Sequence, residues 1–176
     1  MKSTGVIRRI DELGRIVIPK EIRKTLRIHD GDNLEIYTDN EENIILSKYS
    51  RIGAINDFSN TFINTLQKFI SCDVIITDKD KIIALSNNLK KKYENKEISK
   101  ELIKYLEKRE TINKDEFVNI KITNNDNLEG YFYISPIIVD SDSIGLVILY
   151  STENIKEFDT KISQFINLFF TKYLEE

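Results

Sequence analysis

The sequence has one cysteine, one histidine and no tryptophan among its 176 residues. One cysteine excludes an intramolecular disulfide, and one histidine leaves too few ligands for an ordinary zinc site. A nucleophile–histidine catalytic pair would have to use His29 itself. We therefore expect a protein that is not an enzyme and that has no catalytic residues, metal site or cofactor.

Long apolar runs are also missing. No run approaches the roughly 18 residues that cross a membrane, and the first five residues lack the apolar core of a signal peptide. Hydrophobic residues make up 40% of the chain and charged residues 31%, which is ordinary for a globular protein. The sequence predicts a cytoplasmic protein without a membrane partner, of a length that suits two small domains.

Arginine is scarce, and its distribution is uneven. Lysine outnumbers arginine 19 to 7, yet five of the seven arginines fall within the first 27 residues. Residues 1–28 carry a net charge of +5, residues 29–50 a net charge of −5, and the rest a net charge of −3. Because arginine offers a rigid fork of donors for phosphate or guanine, this end indicates a nucleic-acid surface. The alternative is a set of solvated surface charges.

The first 50 residues alternate short β-type runs with turns. Asp11-Glu12-Leu13-Gly14 and 39–43 are typical of turns, and Pro19 suits the start of a helix. The pattern predicts four strands, at 6–10, 15–18, 33–37 and 44–48, and one helix at 20–27. At about 100° per residue, that helix places its basic residues on one side and its apolar residues on the other.

A segment of this size is too small to bury a core by itself, and it has no disulfide or metal to stabilise one. Two copies sharing one core would solve that problem, and a two-fold dimer would match the symmetry of duplex DNA. The single short helix excludes a helix-turn-helix, which needs two. We therefore expect strands and loops to contact the DNA.

Several runs of this segment resemble a known family. The resemblance to the DNA-binding domain of AbrB-type transition-state regulators covers residues 1–50 almost without a gap. It is carried by Lys2-Ser3-Thr4-Gly5, Asp11-Glu12-Leu13-Gly14-Arg15-Ile16-Val17-Ile18-Pro19, Glu21-Ile22-Arg23-Lys24-Thr25-Leu26, Leu34-Glu35-Ile36-Tyr37 and Ile44-Ile45-Leu46.

The resemblance implies a swapped-hairpin fold, in which two chains interlace their β-hairpins into one β-barrel-like dimer. It also implies that Arg8, Arg15, Arg23 and Lys24 face DNA. Lys24 stands where the family commonly has arginine, a change that keeps the charge but loses the bidentate fork. With the neighbouring arginines, the candidate DNA-binding set is Arg8, Arg9, Arg15, Arg23, Lys24 and Arg27.

The rest of the chain has a different pattern. Apolar periodicity predicts helices at 57–70, 97–109 and near the C-terminus, where Ile162, Phe165, Ile166, Phe169 and Tyr173 form a stripe. Strands are expected at 72–77, 81–85, 117–122, 131–139 and 144–150. The order α-β-β-α-β-β-β-α is typical of an α+β domain with an antiparallel sheet and flanking helices.

That order resembles a GAF domain, a sensor fold that usually holds a small ligand. We expect residues 1–50 to be the DNA-binding domain, 51–55 a linker, and 56–176 a GAF-like domain for sensing or oligomerisation. The combination resembles a family of two-domain regulators of sporulation. It implies a nucleoid-associated forespore protein that activates or represses transcription. Whether the GAF-like domain binds a small molecule stays open from the sequence.

Two further questions stay open from the sequence. An antitoxin-like protein would share the N-terminal fold and bind a protein partner through its tail, although the strong apolar periodicity of 56–176 favours the regulator.

The wide apolar stripes on the first and last helices of this half allow a dimer of dimers, through contacts separate from the swapped hairpins. Cys72 is expected to be a buried inert thiol, and 90–92 a solvated lysine run.

Overall fold

The computed structural model describes residues 4–175, so Lys2 and Ser3 of the first motif and Glu176 of the second predicted domain lie outside the described residues. The chain divides into two compact units, the first ending at Tyr49 and the second beginning at Ser50. Both contain helices and antiparallel β-pairs. The predicted α+β class with antiparallel sheets is therefore confirmed.

The N-terminal unit contains one short helix and one β-ladder. The helix, α1, spans Lys20–Thr25, and the strands are β1 (Leu34–Thr38) and β2 (Ile44–Lys48). The strands pair antiparallel from Leu34 opposite Lys48 to Thr38 opposite Ile44. The turn between them is fixed by Asp39, whose Oδ1 accepts the backbone N–H groups of Glu41 and Asn43, both at 2.9 Å.

The two strands predicted at 6–10 and 15–18 do not form in the single chain. Both segments are described, and neither is paired in a ladder. A strand needs a neighbour for its backbone donors and acceptors, and among residues 4–49 only β1 and β2 have one. Between Thr4 and Tyr49 no residue is buried. The N-terminal unit therefore has no core of its own.

The C-terminal unit is built on one five-stranded antiparallel sheet. Its helices are α2 (Asn56–Leu66), α3 (Asn87–Tyr93), α4 (Lys100–Lys108) and α5 (Glu157–Glu175). Its strands are β3 (Asp73–Thr77), β4 (Ile82–Leu85), β5 (Ile112–Lys121), β6 (Asn127–Val139) and β7 (Asp142–Ser151). The strand order across the sheet is β4-β3-β7-β6-β5.

Each face of this sheet carries a separate apolar core. Because side chains alternate along a strand, Val74 and Ile76 face one side and Ile75 faces the other. The first core is closed by α2 and α5, and the second by α3 and α4. No helix in the described part of the chain combines the length and apolar character needed to span a bilayer.

Helix α3 was absent from the predicted order. Its sequence, NNLKKKY, offers only Leu89 and Tyr93 as apolar residues, four positions apart on one face, and both are buried in the second core. The lysine run expected to be solvated belongs to this helix, and Lys92 Nζ lies 3.3 Å from Asp126 and over the ring of Tyr93. Two buried side chains thus order a segment whose polar composition resembles a loop.

Residues 50–55 are ordered within the C-terminal unit. The side chain of Ser50 accepts the Gly53 N–H at 2.9 Å, and a 3-10 turn spans Gly53–Ile55. Ile52 is buried in the first core, and Arg51 pairs with Asp140 at 2.8 Å. Most of the segment expected to be a linker is thus held by side-chain contacts.

Cys72 is buried just before β3. Burial, followed by the negative charge of Asp159, raises the pKa of the Cys72 thiol to about 12. Because the thiolate is the reactive form, this thiol is inert at neutral pH, in agreement with the sequence-based expectation.

Candidate nucleic-acid interface

Arg15 is presented by a tight turn that Asp11 organises. The backbone N–H of Gly14 donates to the Asp11 carbonyl at 2.9 Å, and Gly14 adopts a φ of +75° that favours glycine. Asp11 Oδ1 accepts the N–H groups of Leu13 at 3.0 Å and Arg15 at 2.8 Å. Its Oδ2 accepts Arg15 Nε at 2.8 Å. One carboxylate therefore fixes both the turn and the direction of the guanidinium.

This arrangement leaves the terminal nitrogens of Arg15 available, because the contact to Asp11 uses Nε. The Arg15 side chain is 71% exposed. The hydrogen bonds from the backbone and side chain of Arg15 lower the pKa of Asp11, so its carboxylate stays ionised at neutral pH. The turn thus holds the Arg15 side chain in a fixed direction, with its terminal N–H donors exposed to solvent.

Helix α1 presents the second group of cations. Pro19 precedes its first residue, and Arg23 and Lys24 lie in its last turn. Arg23 donates from one terminal nitrogen to Asp30 Oδ1 at 2.8 Å, and its side chain is 38% exposed. Lys24 is exposed. Both residues therefore reach solvent from one short element.

Hydrogen bonds and an ion pair around Lys48 and Asp32 connect the end of α1 to the β-ladder. Lys48 Nζ donates to the backbone carbonyl of Arg27 at 2.9 Å and lies 3.0 Å from Asp32 Oδ2. The same carboxylate accepts the backbone N–H of His29 at 2.8 Å, and its side chain is only 5% exposed. Arg27 has a φ of +54°, which ends the helix. These bonds hold the basic helix to β2.

The six predicted DNA-binding residues fall into three places. Arg8 and Arg9 lie exposed in the segment before the first turn, Arg15 closes that turn, and the other three lie on α1 or directly after it. The residues that position these cations could not be predicted from the sequence: Asp11, Asp32 and Lys48. Their residue types gave no signal, because surface carboxylates and lysines are common.

A separate group of three acidic residues lies in the turn of the β-ladder. Asp39, Glu41 and Glu42 form the turn between β1 and β2. A hydrogen bond from the Asn43 side chain is the main cause that lowers the pKa of Asp39, so this turn is anionic at neutral pH. DNA would be repelled by this turn and attracted by the basic groups around Arg15 and α1.

Comparison with known proteins gives matches along nearly the whole chain. The family described as stage V sporulation protein T C-terminal, transcription factor, matches residues 54–175. Stage V sporulation protein T of Bacillus subtilis (strain 168) is 40% identical over 154 residues, which cover 87% of this chain and 86% of that protein. The chain belongs to the stage V sporulation protein T family. Both predicted resemblances, to AbrB-type domains and to two-domain sporulation regulators, are confirmed.

The N-terminal unit has further relatives. The transition state regulatory protein AbrB of Bacillus subtilis (strain 168) is 63% identical over 49 residues, which span half of that protein's length. The solution structure of the N-domain of the transcription factor AbrB is 62% identical, with a TM-score of 0.26, and the match covers 28% of this chain and 94% of that one. A family described as antidote-toxin recognition MazE, bacterial antitoxin, matches residues 7–53.

Proposed function

We propose that this member of the stage V sporulation protein T family is a DNA-binding transcription regulator of sporulation. It binds duplex DNA through Arg8, Arg9, Arg15, Arg23, Lys24 and Arg27 and activates or represses genes in the forespore. The observation that carries the proposal is the Asp11–Arg15 turn, which projects an exposed arginine from a fixed base in a domain 63% identical to AbrB. Relatives described as transcription factors, and not as enzymes, support the same conclusion.

The DNA-binding unit, residues 1–50, functions as a swapped-hairpin dimer in this proposal. Two observations support it: no residue from Thr4 to Tyr49 is buried, and the segments 6–10 and 15–18 have no strand partner in their own chain. A second copy would supply both the missing ladder and the missing core. It would also double the cationic groups across a two-fold axis.

The C-terminal unit, residues 56–176 in the proposed division, has the role of a GAF-like sensor or assembly module. Its support is the antiparallel sheet covered by helices on both faces. With a net charge of −3 over residues 51–176, it has no electrostatic reason to bind DNA. It would influence the DNA-binding unit by binding a small molecule or by holding subunits together.

An antitoxin-like function is the second candidate, and the match of residues 7–53 to an antitoxin family favours it. In that case the tail would bind a protein partner. The tail instead folds around two apolar cores of its own, and its residues 54–175 match the sporulation family. The regulator is therefore the better supported function.

DNA binding can be tested by fluorescence anisotropy with promoter fragments at several salt concentrations. Eight cationic contacts per dimer come from the four residues that the AbrB resemblance implies face DNA: Arg8, Arg15, Arg23 and Lys24. Arg9 and Arg27 would add up to four more. If all eight neutralised phosphates, log Kobs against log[salt] would have a slope of about −7, and contacts to base edges would make it shallower. A slope near zero, or equal affinity for promoter and unrelated DNA, would contradict a sequence-specific regulator.

A dimer of dimers can be tested on the aromatic surface of α2 and α5. Phe58, Phe165 and Tyr173 are partly exposed there, and Leu168 beside them is 59% exposed. Phe169 is unsuitable for the test because it packs on the first core and stacks on Phe62 at 4.9 Å. Leu168→Glu should convert tetramers to dimers in light scattering, since a charge would be buried between subunits. Lys104→Glu changes an exposed residue of α4 and should leave tetramers intact. Dimers in the unmutated protein would disprove the assembly.

A further inference from the structure

The C-terminal unit contains a cavity of about 270 Å³ at the end of the sheet where β3 begins and β7 ends. Its walls come from three separate segments: the end of α2 with the approach to β3, the start of α3, and the end of β7. The polar side chains that line it include Gln67, Ser71, Asp73, Asn88, Ser151 and Thr152. This volume lies just below the range of about 300–1,000 Å³ for drug-sized ligands, so it suits a small metabolite.

Asp73 gives the cavity its charge. Asp73 Oδ1 accepts the Gln67 Nε2 group at 3.2 Å and the Asn88 Nδ2 group at 3.3 Å. These neutral donors hold the carboxylate without neutralising it. Among the described residues that line the cavity, none is a lysine or an arginine. The cavity therefore carries a negative charge that no lining cation balances.

The surrounding side chains offer both acceptors and donors. Because Gln67 and Asn88 both direct their amide nitrogens to Asp73 Oδ1, their carbonyl oxygens point away from that contact. The Gln67 oxygen accepts the Asn87 N–H only at 3.4 Å, and Ser151 Oγ accepts the Glu153 N–H. A ligand that matches this site brings a positive charge for Asp73 and N–H donors for the carboxylate and the amide oxygens.

A metal ion fits this site poorly. No group of three or more histidine, cysteine, aspartate or glutamate side chains that could hold a metal occurs in the described part of the chain. Calcium takes six to eight oxygen ligands, with carboxylates prominent among them. A single carboxylate with amides and hydroxyls favours an organic cation.

We propose that this cavity binds a small organic cation, an aliphatic ammonium or guanidinium compound whose N–H groups donate to Asp73 and Asn88. The inference rests on the sensing role proposed for the C-terminal unit and supplies its site and ligand class. Such a ligand would bridge α2, β3 and α3. It would therefore stabilise the unit against unfolding.

The test uses the full-length protein and four probes of similar size. Agmatine and n-butylamine supply guanidinium and ammonium groups, while 1-butanol and butyrate supply a neutral and an anionic control. Calorimetric titration and thermal unfolding should detect the two cations and neither control. Failure of both cations to bind at up to about 10 mM, or equal binding of butyrate, would overturn the proposal.

Three variants locate the binding. Asp73→Asn keeps the shape but removes the charge, and should weaken cation binding at least tenfold, the low end for a hydrogen bond to a charged group. Asn88→Lys, on an exposed position, places a tethered cation beside Asp73 and should compete with the probes. Asp57→Asn, on the exposed first turn of α2, is the matched control and should bind like the unmutated protein.

The outcomes separate this inference from the proposed function. Equal cation affinity in Asp73→Asn and the unmutated protein would disprove the site, whatever the protein does with DNA. Promoter binding by the ligand-free protein, measured by anisotropy, tests the regulator independently. Asp73→Asn should leave that ligand-free DNA affinity unchanged, because Asp73 lies in the C-terminal unit.

Discussion

Ile36→Lys should abolish DNA binding and unfold the N-terminal unit. Ile36 lies opposite Leu46 in the β1–β2 ladder, and Leu34 and Ile44 share that face. In the single chain Ile36 is 67% exposed, although it belongs to the most apolar face of the ladder. If a second copy covers this face, the variant loses an apolar side chain and buries a charge. Together these cost more than about 4 kcal/mol.

The measurement is hydrogen–deuterium exchange of residues 34–48 in the full-length protein, combined with promoter binding. The unmutated ladder should be protected, and Ile36→Lys should remove the protection and lower DNA affinity by at least about 1,000-fold, the equivalent of about 4 kcal/mol. Ser47→Lys is the matched control, because Ser47 pairs with Glu35 on the opposite face. A protected ladder and normal DNA binding in Ile36→Lys would show that this face is not covered.

The sequence predicted β1 and β2 well because local signals agree there. The strand expected at 44–48 is the observed β2, and the turn before it is fixed by Asp39 within five residues. The strands expected at 6–10 and 15–18 are absent for a different reason. Their β-type composition predicts strands, but a ladder needs a partner, and among residues 4–49 only β1 and β2 are paired.

Helix α3 is the opposite case: it forms in the structure although the sequence does not predict it. Asparagine has a poor helix propensity, and seven residues with two apolar positions give too little periodicity for detection. The helix forms because Leu89 and Tyr93 complete the second core beneath Phe132 and Ile148. Tertiary burial therefore decides the conformation of a segment that local sequence leaves open.

At the candidate site, the positions of the cations follow from the sequence, whereas the residues that orient them do not. The concentration of arginine in the first 27 residues predicts a basic surface, and the role of that surface in binding DNA stays a prediction. The four-residue spacing of Asp11 and Arg15 gave no hint that one carboxylate would accept three N–H groups. The contact of Lys48 with Asp32 joins residues 16 positions apart, which only the folded chain brings together.

Replacing both Arg15 and Arg23 with alanine should lower promoter affinity by at least about 1,000-fold. The dimer would lose four guanidinium groups, and a bidentate arginine contact to a base is worth about 1–3 kcal/mol. Four losses near the lower limit amount to about 4 kcal/mol, or three factors of ten. If all four contacts are to phosphates instead, the magnitude of the salt slope should fall by about 3.6.

Two single substitutions, Arg15→Lys and Arg23→Lys, distinguish contacts to base edges from contacts to phosphates. Arg15→Lys keeps the charge but loses the rigid fork and the Nε contact that Asp11 uses to orient the side chain. A base contact should therefore be lost in Arg15→Lys nearly as fully as in Arg15→Ala, whereas a phosphate contact should largely survive. The same comparison at Arg23 decides its role separately.

The charge control is Lys161→Ala, which removes an exposed cation from α5 that pairs with Glu157 at 2.8 Å. It should leave promoter affinity and salt slope unchanged, because the C-terminal unit carries a net negative charge. Protection of residues 34–48 from hydrogen exchange should be normal in every arginine variant, since both side chains lie outside the ladder. Promoter affinity that stays within threefold of the unmutated protein in the double variant would place the DNA-binding surface away from the Asp11–Arg15 turn and α1.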